Sequence, residues 1–518
     1  MLRLGKGSLV YGASNVAGQI FSPFANFLDD FGGAGSASRD FGDPAFYPEL
    51  FRQAYFAQDR WQVTSGLTVT LGVRYEDFGS PMNSLRTPAY AGLFNIDTRT
   101  FTGPYSEPNK VKRDRNNFAP TVGITWSPSV TGGILGALLG NRKTVIRTGY
   151  NIGYDSFFNN IASNIAGSAP NLIATSLPSI PNAANPRGIA NLSSRLPTSA
   201  RAVLPIDAQN LVTPDLKNPY YQKWSFGVQR ELPWGMVLDA SYVGSSGTHL
   251  YINEDLNPLV PAALQQFPAG VAAANVPYAV QPRLDPLQGS RTIRTNGGHS
   301  SYHSGQFELN RRFSQGLFFK TAYTWSKLID NASEVFTYNN TSSIAAIPSV
   351  FGGQQNERAI SLYDRTHRLV FSHGYELPFF KSGRGFLSQT LGAWEIAGIV
   401  TFESGVPYSV SNGADADGLG GAGDRPDFNP SGRPGVRARP DNSSPTGFAN
   451  PDAAGGAAPI DRSEARYIGL SANVGRTGNL GRNTERIPGI ENWNANVSKP
   501  FASRNACACS SGLSSTTC

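Results

Sequence analysis

Cysteine is absent from the first 506 residues of this 518-residue chain. Its three cysteines, Cys507, Cys509 and Cys518, lie in the last dozen residues. Their spacing matches no zinc ligand set, which excludes a cysteine-based zinc site. The scarcity of cysteine suits an oxidising compartment, where stray thiols are a hazard.

Long apolar runs and charged residues are also scarce. No apolar run approaches the ~18 residues of a transmembrane helix, although the strands of a membrane barrel are short and half polar. Charged residues make up 16% of the chain, against about 25% in typical soluble domains. The net charge is +7, but the basic residues are scattered and form no nucleic-acid module. We therefore expect no nucleic-acid partner.

Glycine, proline and aromatic residues are abundant, and this composition indicates an all-β chain rather than a helical one. Odd-numbered residues from Leu67 to Tyr75 are apolar, while even-numbered residues from Thr68 to Glu76 are polar or small. Such alternation predicts a strand. Ten segments show it: 54–63, 67–76, 116–126, 143–154, 222–232, 236–244, 303–312, 317–327, 366–377 and 393–404.

The connections between these segments alternate between short and long. The shorter ones are 64–66, 127–142, 233–235, 314–316 and 378–392, and the long ones are 77–115, 155–221, 245–302, 328–365 and 405–492. Compact soluble domains rarely carry structureless loops beyond about 15 residues. Short periplasmic turns and long extracellular loops are typical of an outer-membrane barrel. We therefore predict an antiparallel transmembrane β-barrel whose apolar face meets lipid and whose polar face lines a lumen.

The tryptophans and the loop composition favour the same fold. Trp61, Trp126, Trp234 and Trp394 lie beside the shorter connections, whereas Trp224 and Trp325 lie at the far ends of their strands. Two aromatic belts are expected where rings settle at the two membrane–water interfaces. The long connection 155–221 is rich in Asn, Pro and Ala, so we expect little core in it.

Several segments resemble the strands of TonB-dependent outer-membrane receptors, and in particular the Oar-like branch. They include AYFAQDRWQVTSGLTVTLGVRYEDFGSP at 54–81, GQFELNRRFSQGLFFKTAYTWSKLIDNASE at 305–334 and WEIAGIVTFESGVPYSV at 394–410. Further matches lie at 218–250, 364–379 and 479–501. The resemblance implies a plugged barrel of about 22 strands in the outer membrane. It also implies an extracellular substrate and uptake energised by the TonB complex.

The chain departs from that family pattern at both ends. Its start lacks the apolar core and cleavage site of a signal peptide, and no plug or TonB box is found. We therefore expect residues 1–501 to be a partial barrel, with about 10–12 of the roughly 22 strands, inactive without the plug that contacts TonB. Residues 502–518 are rich in Ser and Cys and lack alternation. We predict a frameshift near codon 501, the alternative being a genuine polar tail.

Two groups of residues have metal-like spacing. His299 and His303 are four apart, but they approach a strand rather than a helix, so we expect no metal there. In the loop 413–430, the D-x-D-G sequence resembles the opening of a calcium loop, but the bidentate Glu is missing. A solvated extracellular loop is the favoured interpretation. Its carboxylates are Asp415, Asp417, Asp424 and Asp427.

No group of residues argues for catalysis. Gly-x-Ser-x-Gly does not occur between a strand and a helix, and no acid–base pair converges. Glu308 and Glu395 are expected to pair with Arg312 or other lumen cations. We expect no enzyme activity, no cofactor and no catalytic or metal-binding residues. The alternative function is that of a secreted or surface all-β binding or adhesion protein. Loop composition does not distinguish a siderophore, a peptide or a glycan as substrate.

Overall fold

A computed structural model describes most of the chain. The described residues are 7–42, 51–79, 94–95, 100–101, 111–156, 159–169, 171–202, 204, 206–260, 265, 283–333, 357–379, 386–417, 424–455, 457–472, 474–502 and 508–517. In these ranges, no helix is long and apolar enough to cross a membrane.

One large sheet organises the molecule. Its path follows twelve strands in chain order, and each strand is antiparallel to the next. All ten predicted strands are confirmed. The strands are β1 (Gln53–Thr64), β2 (Leu67–Asp77), β3 (Phe118–Trp126), β4 (Thr144–Tyr154), β5 (Tyr220–Leu232), β6 (Met236–Asp255), β7 (Arg291–Ser314), β8 (Leu317–Asp330), β9 (His367–Glu376), β10 (Glu395–Glu403), β11 (Ile490–Ala502) and β12 (Ala508–Thr517).

The register gathers the apolar side chains on one face of this sheet. Leu71 of β2 lies opposite Val122 of β3, which lies opposite Tyr150 of β4. Farther along, Phe226 of β5 lies opposite Tyr242 of β6. These five side chains are exposed, Leu71 at 52%. The other face carries Thr, Gly, Ser, Asn and charged residues. A soluble sheet would bury its apolar face, so the observed exposure is the arrangement of a sheet that meets lipid.

The two ends of the sheet differ in their connections. After β1, β5 and β7 the chain turns within two or three residues. Gln315 and Gly316, between β7 and β8, both have positive φ angles of 54° and 79°. A two-residue hairpin turn of type I′ requires positive φ at both central positions, and glycine adopts it without strain. We call the end of the sheet that has these three turns the short-turn end. The opposite end, where the connections are long, is the long-loop end.

The hairpin of β6 and β7 extends farther than its sequence predicts. Residues 245–302 were expected to form a loop, and this expectation is wrong at both ends of the range, because β6 continues to Asp255 and β7 begins at Arg291. Beyond Gly244 the strands lose simple alternation. The register shifts on both sides of Leu250, and the three consecutive residues Tyr251, Ile252 and Asn253 are all buried. Burial on two faces removes the period-2 signal that identifies a half-buried strand.

Further helices and short strands lie before β1 and in the connections between the strands of the main sheet. Described helices are Pro23–Leu28, Gly133–Leu139, Asn159–Ala166 and Phe386–Leu391, with single turns at Leu192–Ser194, Pro233–Gly235 and Arg462–Glu464. The smaller strands are Ser8–Val10, Ser14–Val16, Gln19–Phe21, Ser36–Gly42, Phe94–Asn95, Thr100–Phe101, Leu172–Pro178, Gln209–Val212, Ala359–Ile360, Pro407–Tyr408, Asp427–Phe428, Arg433–Pro440, Phe448–Asn450, Ala458–Pro459, Ala465–Ile468 and Glu485–Arg486.

Hydrophobic core lies in these connections. Ile161 and Ala162 of the helix after β4 are completely buried and pack with Val212 and Leu216. The expectation of little core in 155–221 is therefore wrong. The physical reason is that a few apolar residues, spaced on one helical face, are brought against distant partners that composition does not reveal.

The C-terminal tail forms the last strand of the sheet. β12 pairs antiparallel with β11, from Ala508 opposite Ala502 to Thr517 opposite Trp493. Backbone hydrogen bonds alone define this pairing and need no alternation of side chains. The frameshift near codon 501 stays a prediction.

Candidate functional site

The connection after β10 forms the most elaborate structure at the long-loop end. We call the described residues between 404 and 489 the cap. Its centre is a five-stranded sheet with the order Asp427–Phe428, Ala465–Ile468, Arg433–Pro440, Phe448–Asn450 and Ala458–Pro459. Ala438, Ile460, Ala465 and Ile468 form a buried apolar cluster behind this sheet. The cap therefore has its own core and holds a defined shape outside the bilayer.

A buried arginine ties the cap to the main sheet. The Arg482 guanidinium is 3% exposed and lies 2.5 Å from a carboxylate oxygen of Asp330, at the end of β8. It also donates to the Glu357 carbonyl at 3.2 and 3.1 Å and to the Ser333 hydroxyl at 2.9 Å. The Glu357 carboxylate is 2% exposed and lies 3.8 Å away. One cation thus joins the cap to two segments of the connection between β8 and β9.

Further polar contacts surround Arg482 and complete what we call the rim network. Arg425 of the cap donates to both carboxylate oxygens of Glu357, at 3.1 and 2.7 Å. Arg486 pairs with Asp364, whose side chain is 1% exposed. The side chain of Asn483 donates to the carbonyl of Ile360 at 2.8 Å. Because buried charges are tolerated only when they are paired and hydrogen-bonded, these contacts fix the position of the cap.

Three of the four aspartates in the acidic loop lie close together, and the fourth does not join them. Asp415, Asp417 and Asp424 bring carboxylate oxygens within 4.8 Å of one another. Asp424 accepts hydrogen bonds from the backbone N–H groups of Ala416 at 2.5 Å and Asp417 at 3.2 Å. These bonds hold Asp424 beside residues 416 and 417. Asp427 does not join the group and pairs with Arg476 instead. Calcium binding here stays untested.

The two spaced histidines do not share a ligand position. His299 and His303 both lie on β7, where four residues span about 13 Å along a strand. The His303 ring is 2.7 Å from the Tyr242 hydroxyl on the apolar face, beside Trp224. Its surroundings are those of an interfacial aromatic belt rather than of a metal site.

The polar face of the main sheet carries ion pairs. Glu308 of β7 lies 2.9 Å from Lys320 of β8. The expectation that Glu308 pairs with Arg312 or another cation of the polar face is thus met by Lys320, a diagonal neighbour on the facing strand. Near the long-loop end, Glu403 accepts from Arg365 at 2.6 Å and lies 3.3 Å from Arg368.

The cap contains a cavity of about 520 Å³ that sequence reasoning missed. Tyr467 lies in its wall, and burial, followed by a hydrogen bond to Glu485, raises the pKa of the Tyr467 hydroxyl. This hydroxyl therefore stays protonated and donates its hydrogen bond to Glu485 at neutral pH. No motif unites the lining residues, because they come from five separated segments: Tyr408, Ser409, Val410, Ser411, Pro434, Gly435, Arg437, Asp452, Arg466, Tyr467 and Glu485.

The Asp427 carboxyl gives the cap a pH dependence. Arg476 donates to both of its oxygens at 2.8 Å, which lowers the pKa of Asp427. The ionised carboxylate therefore stabilises the cap above about pH 3.9, the unfolded value, and the contribution is lost as the pH falls through the lower folded-state pKa. We expect intrinsic-rate-corrected hydrogen exchange of Ala465–Ile468 to rise below about pH 4. In the Asp427→Asn variant this rise in hydrogen exchange should be smaller. An unchanged rise would contradict the assignment of the pH dependence to Asp427.

A comparison with protein families decides what this sheet is. The family model described as outer membrane beta barrel domain matches residues 4–508. The chain belongs to this family. The exposed apolar face of this outer membrane beta barrel chain accordingly meets lipid, and the chain is located in the outer membrane. A search of curated proteins finds no match. The Oar-like branch within the family stays a prediction.

Several solved transporters and receptors are similar to this barrel chain. The outer membrane transporter YddB from Escherichia coli is 10% identical, with a TM-score of 0.40 over 90% of this chain and 39% of that one. The siderophore receptor PirA from Acinetobacter baumannii is 10% identical, with a TM-score of 0.37 over 90% and 40%. The FrpB iron transporter from Neisseria meningitidis (F3-3 variant) is 9% identical, with a TM-score of 0.36 over 92% and 40%. The chain thus spans about two fifths of their length.

Proposed function

We propose that this chain is part of an outer-membrane receptor that binds a scarce substrate from outside the cell and takes it up with energy delivered through TonB. The single observation that carries the proposal is the cap, a folded body held on the long-loop end by the buried Arg482. A receptor needs such an ordered surface outside the membrane, whereas a structural barrel needs only short connections. The polar face of the main sheet supports passage of a polar solute.

We further propose that residues 1–501 act as the barrel part of a longer receptor. Among the described residues up to 502, eleven strands follow the path of the main sheet, whereas plugged outer-membrane transporters have about 22. The chain alone would not couple to TonB, because that contact belongs to a plug. We propose that the Ser- and Cys-rich segment 502–518, whose residues 508–517 pair with β11, does not correspond to a strand of the family's barrel. We also propose that the receptor catalyses no reaction and carries no cofactor or metal.

Depletion of solutes from the growth medium tests this function in the native organism. A strain with an in-frame deletion of the segment that encodes the cap is compared with its parent, and a parent treated with a protonmotive-force uncoupler serves as the energy control. The proposal predicts one solute class that the parent removes and that the deletion strain and uncoupled cells both leave. Removal of every solute by the deletion strain at the parental rate would contradict it.

Surface adhesion is the second candidate function. The ordered cap is the observation in its favour, because an adhesin also needs a rigid extracellular surface. The same deletion strain discriminates between the two functions. Loss of attachment to a surface or to neighbouring cells, with unchanged solute removal and no response to the uncoupler, would favour adhesion over uptake.

A further inference from the structure

The cavity in the cap is built from elements that hold its walls in place. The strand Pro407–Tyr408 pairs with Glu485–Arg486, which fixes one wall. Arg437 lies opposite Tyr467 in a parallel strand pair, which fixes another. Its volume of about 520 Å³ lies in the range of small-molecule sites, about 300–1,000 Å³. The walls are therefore preformed for a ligand of moderate size.

The charged groups in the walls balance one another and already have partners. The Arg437 guanidinium donates to both oxygens of Asp452. Arg466 donates to the Pro430 carbonyl at 2.8 Å, and its guanidinium lies 4.9 Å from the centre of the Phe428 ring. Glu485 accepts from Tyr467. Two cations and two carboxylates thus line the cavity, so its charges balance, and one arginine is held in an ion pair with Asp452.

The paired charged groups of the cavity can still form further hydrogen bonds with a ligand. Arginine has five N–H donors and a carboxylate has about four acceptor positions, so the Arg437–Asp452 pair uses only part of its capacity. The Tyr408 side chain is 39% exposed in the wall and offers an apolar ring face together with a hydroxyl. A wall that combines an aromatic face with paired donors and acceptors suits a ligand that has both C–H faces and many hydroxyl groups.

We propose that this cavity binds a neutral saccharide of one or two sugar units. This inference rests on the proposed receptor function and names its substrate class. The hydroxyls of the sugar hydrogen-bond to Arg437, Asp452 and Glu485, while the Tyr408 ring packs against a sugar face. An anionic chelate is disfavoured because Asp452 neutralises Arg437 and the charge of Glu485 balances that of Arg466, so the lining has no net positive charge.

Binding is tested with the purified full chain folded in detergent micelles. A panel of neutral disaccharides (maltose, cellobiose and lactose) is titrated by calorimetry, with citrate and ferric citrate as anionic probes. We expect one or more sugars to bind. Asp452→Ala should weaken this binding about 10- to 100-fold, since hydrogen bonds to charged groups are among the stronger ones. Binding of ferric citrate without any sugar, or no binding of any probe, would overturn the proposal.

A matched pair of glycine variants separates the cavity from the fold. Gly435 lines the cavity with φ 75°, and Gly447 elsewhere in the cap has φ 73°. A side chain meets open space at both, and asparagine tolerates this conformation. Gly435→Asn should abolish sugar binding and Gly447→Asn should not. Equal effects of the two variants on sugar binding would overturn the assignment of the binding site to this cavity.

The two proposals fail in distinguishable ways. Medium depletion of a non-sugar solute that depends on the cap segment would retain the receptor function and overturn the saccharide assignment. Sugar binding to the purified chain, combined with no transport defect in the deletion strain, would retain the cavity assignment and overturn uptake as the function.

Discussion

Replacing Arg482 with methionine is expected to release the cap from the main sheet. The substitution leaves Asp330 buried without its cation, because the side chains of Arg482 and Asp330 are 3% and 5% exposed. Glu357 loses a second cation but keeps its pair with Arg425. Removing one partner of a buried ion pair costs about 3–5 kcal/mol, much of it the penalty of the uncompensated charge. Hydrogen exchange of 404–417 and 474–489, measured by mass spectrometry, should accelerate about 100-fold or more.

The exposed pair of Arg433 with Glu464 provides the control. Its side chains are 65% and 50% exposed and lie in the same cap. Surface pairs contribute about 0–1 kcal/mol, so Arg433→Met should change exchange by less than about fivefold. If Arg482→Met and Arg433→Met were indistinguishable, the rim network would not hold the cap in place.

A second large effect is expected when a charge is placed on the apolar face. Val122 lies in the middle of β3, opposite Leu71 and Tyr150. An arginine at mid-depth on the lipid face of a barrel costs about 2–4 kcal/mol. We expect Val122→Arg to destabilise the protein folded in phospholipid vesicles by this amount. The free energy of unfolding is measured by urea titration of tryptophan fluorescence.

The adjacent position on the opposite face is the matched control. Thr121 lies opposite Gly72 of β2 and Asn151 of β4, among polar and small residues. Thr121→Arg should cost less than about 1 kcal/mol, because the charge enters the hydrated face. A larger cost for Thr121→Arg than for Val122→Arg would reverse the assignment of the two faces.

The main sheet could be predicted from sequence because one physical constraint acts on every strand. Lipid on one side and water on the other impose alternation, as in Leu71 and Val73 against Thr70 and Gly72. Turn residues such as Gln315 and Gly316 then mark where a hairpin closes, here that of β7 and β8. Outside the bilayer this constraint ends. The extensions of β6 and β7 are buried on both faces around Tyr251 and Ile252, so alternation fails there.

The candidate site could not be predicted from sequence for a related reason. Arg482 reaches Asp330 and Glu357, which are 152 and 125 residues away in the chain. No local sequence pattern predicts a contact between residues so far apart in the chain. The cavity likewise depends on Arg437 meeting Asp452 and on Tyr467 meeting Glu485 across separate turns. The sequence pointed to four carboxylates in the acidic loop, and three of them lie close together. It did not reveal that the fourth, Asp427, pairs with Arg476 instead.

The central claim is that the apolar face of the main sheet meets lipid. We would test it with Leu71→Cys and Thr70→Cys, each in a chain whose three native cysteines are replaced by serine. Each cysteine carries a small fluorophore, and the protein is folded into vesicles. The account predicts that brominated acyl chains quench the fluorophore at 71 while aqueous iodide quenches the one at 70. Quenching by iodide at 71 and by brominated lipid at 70 would contradict it.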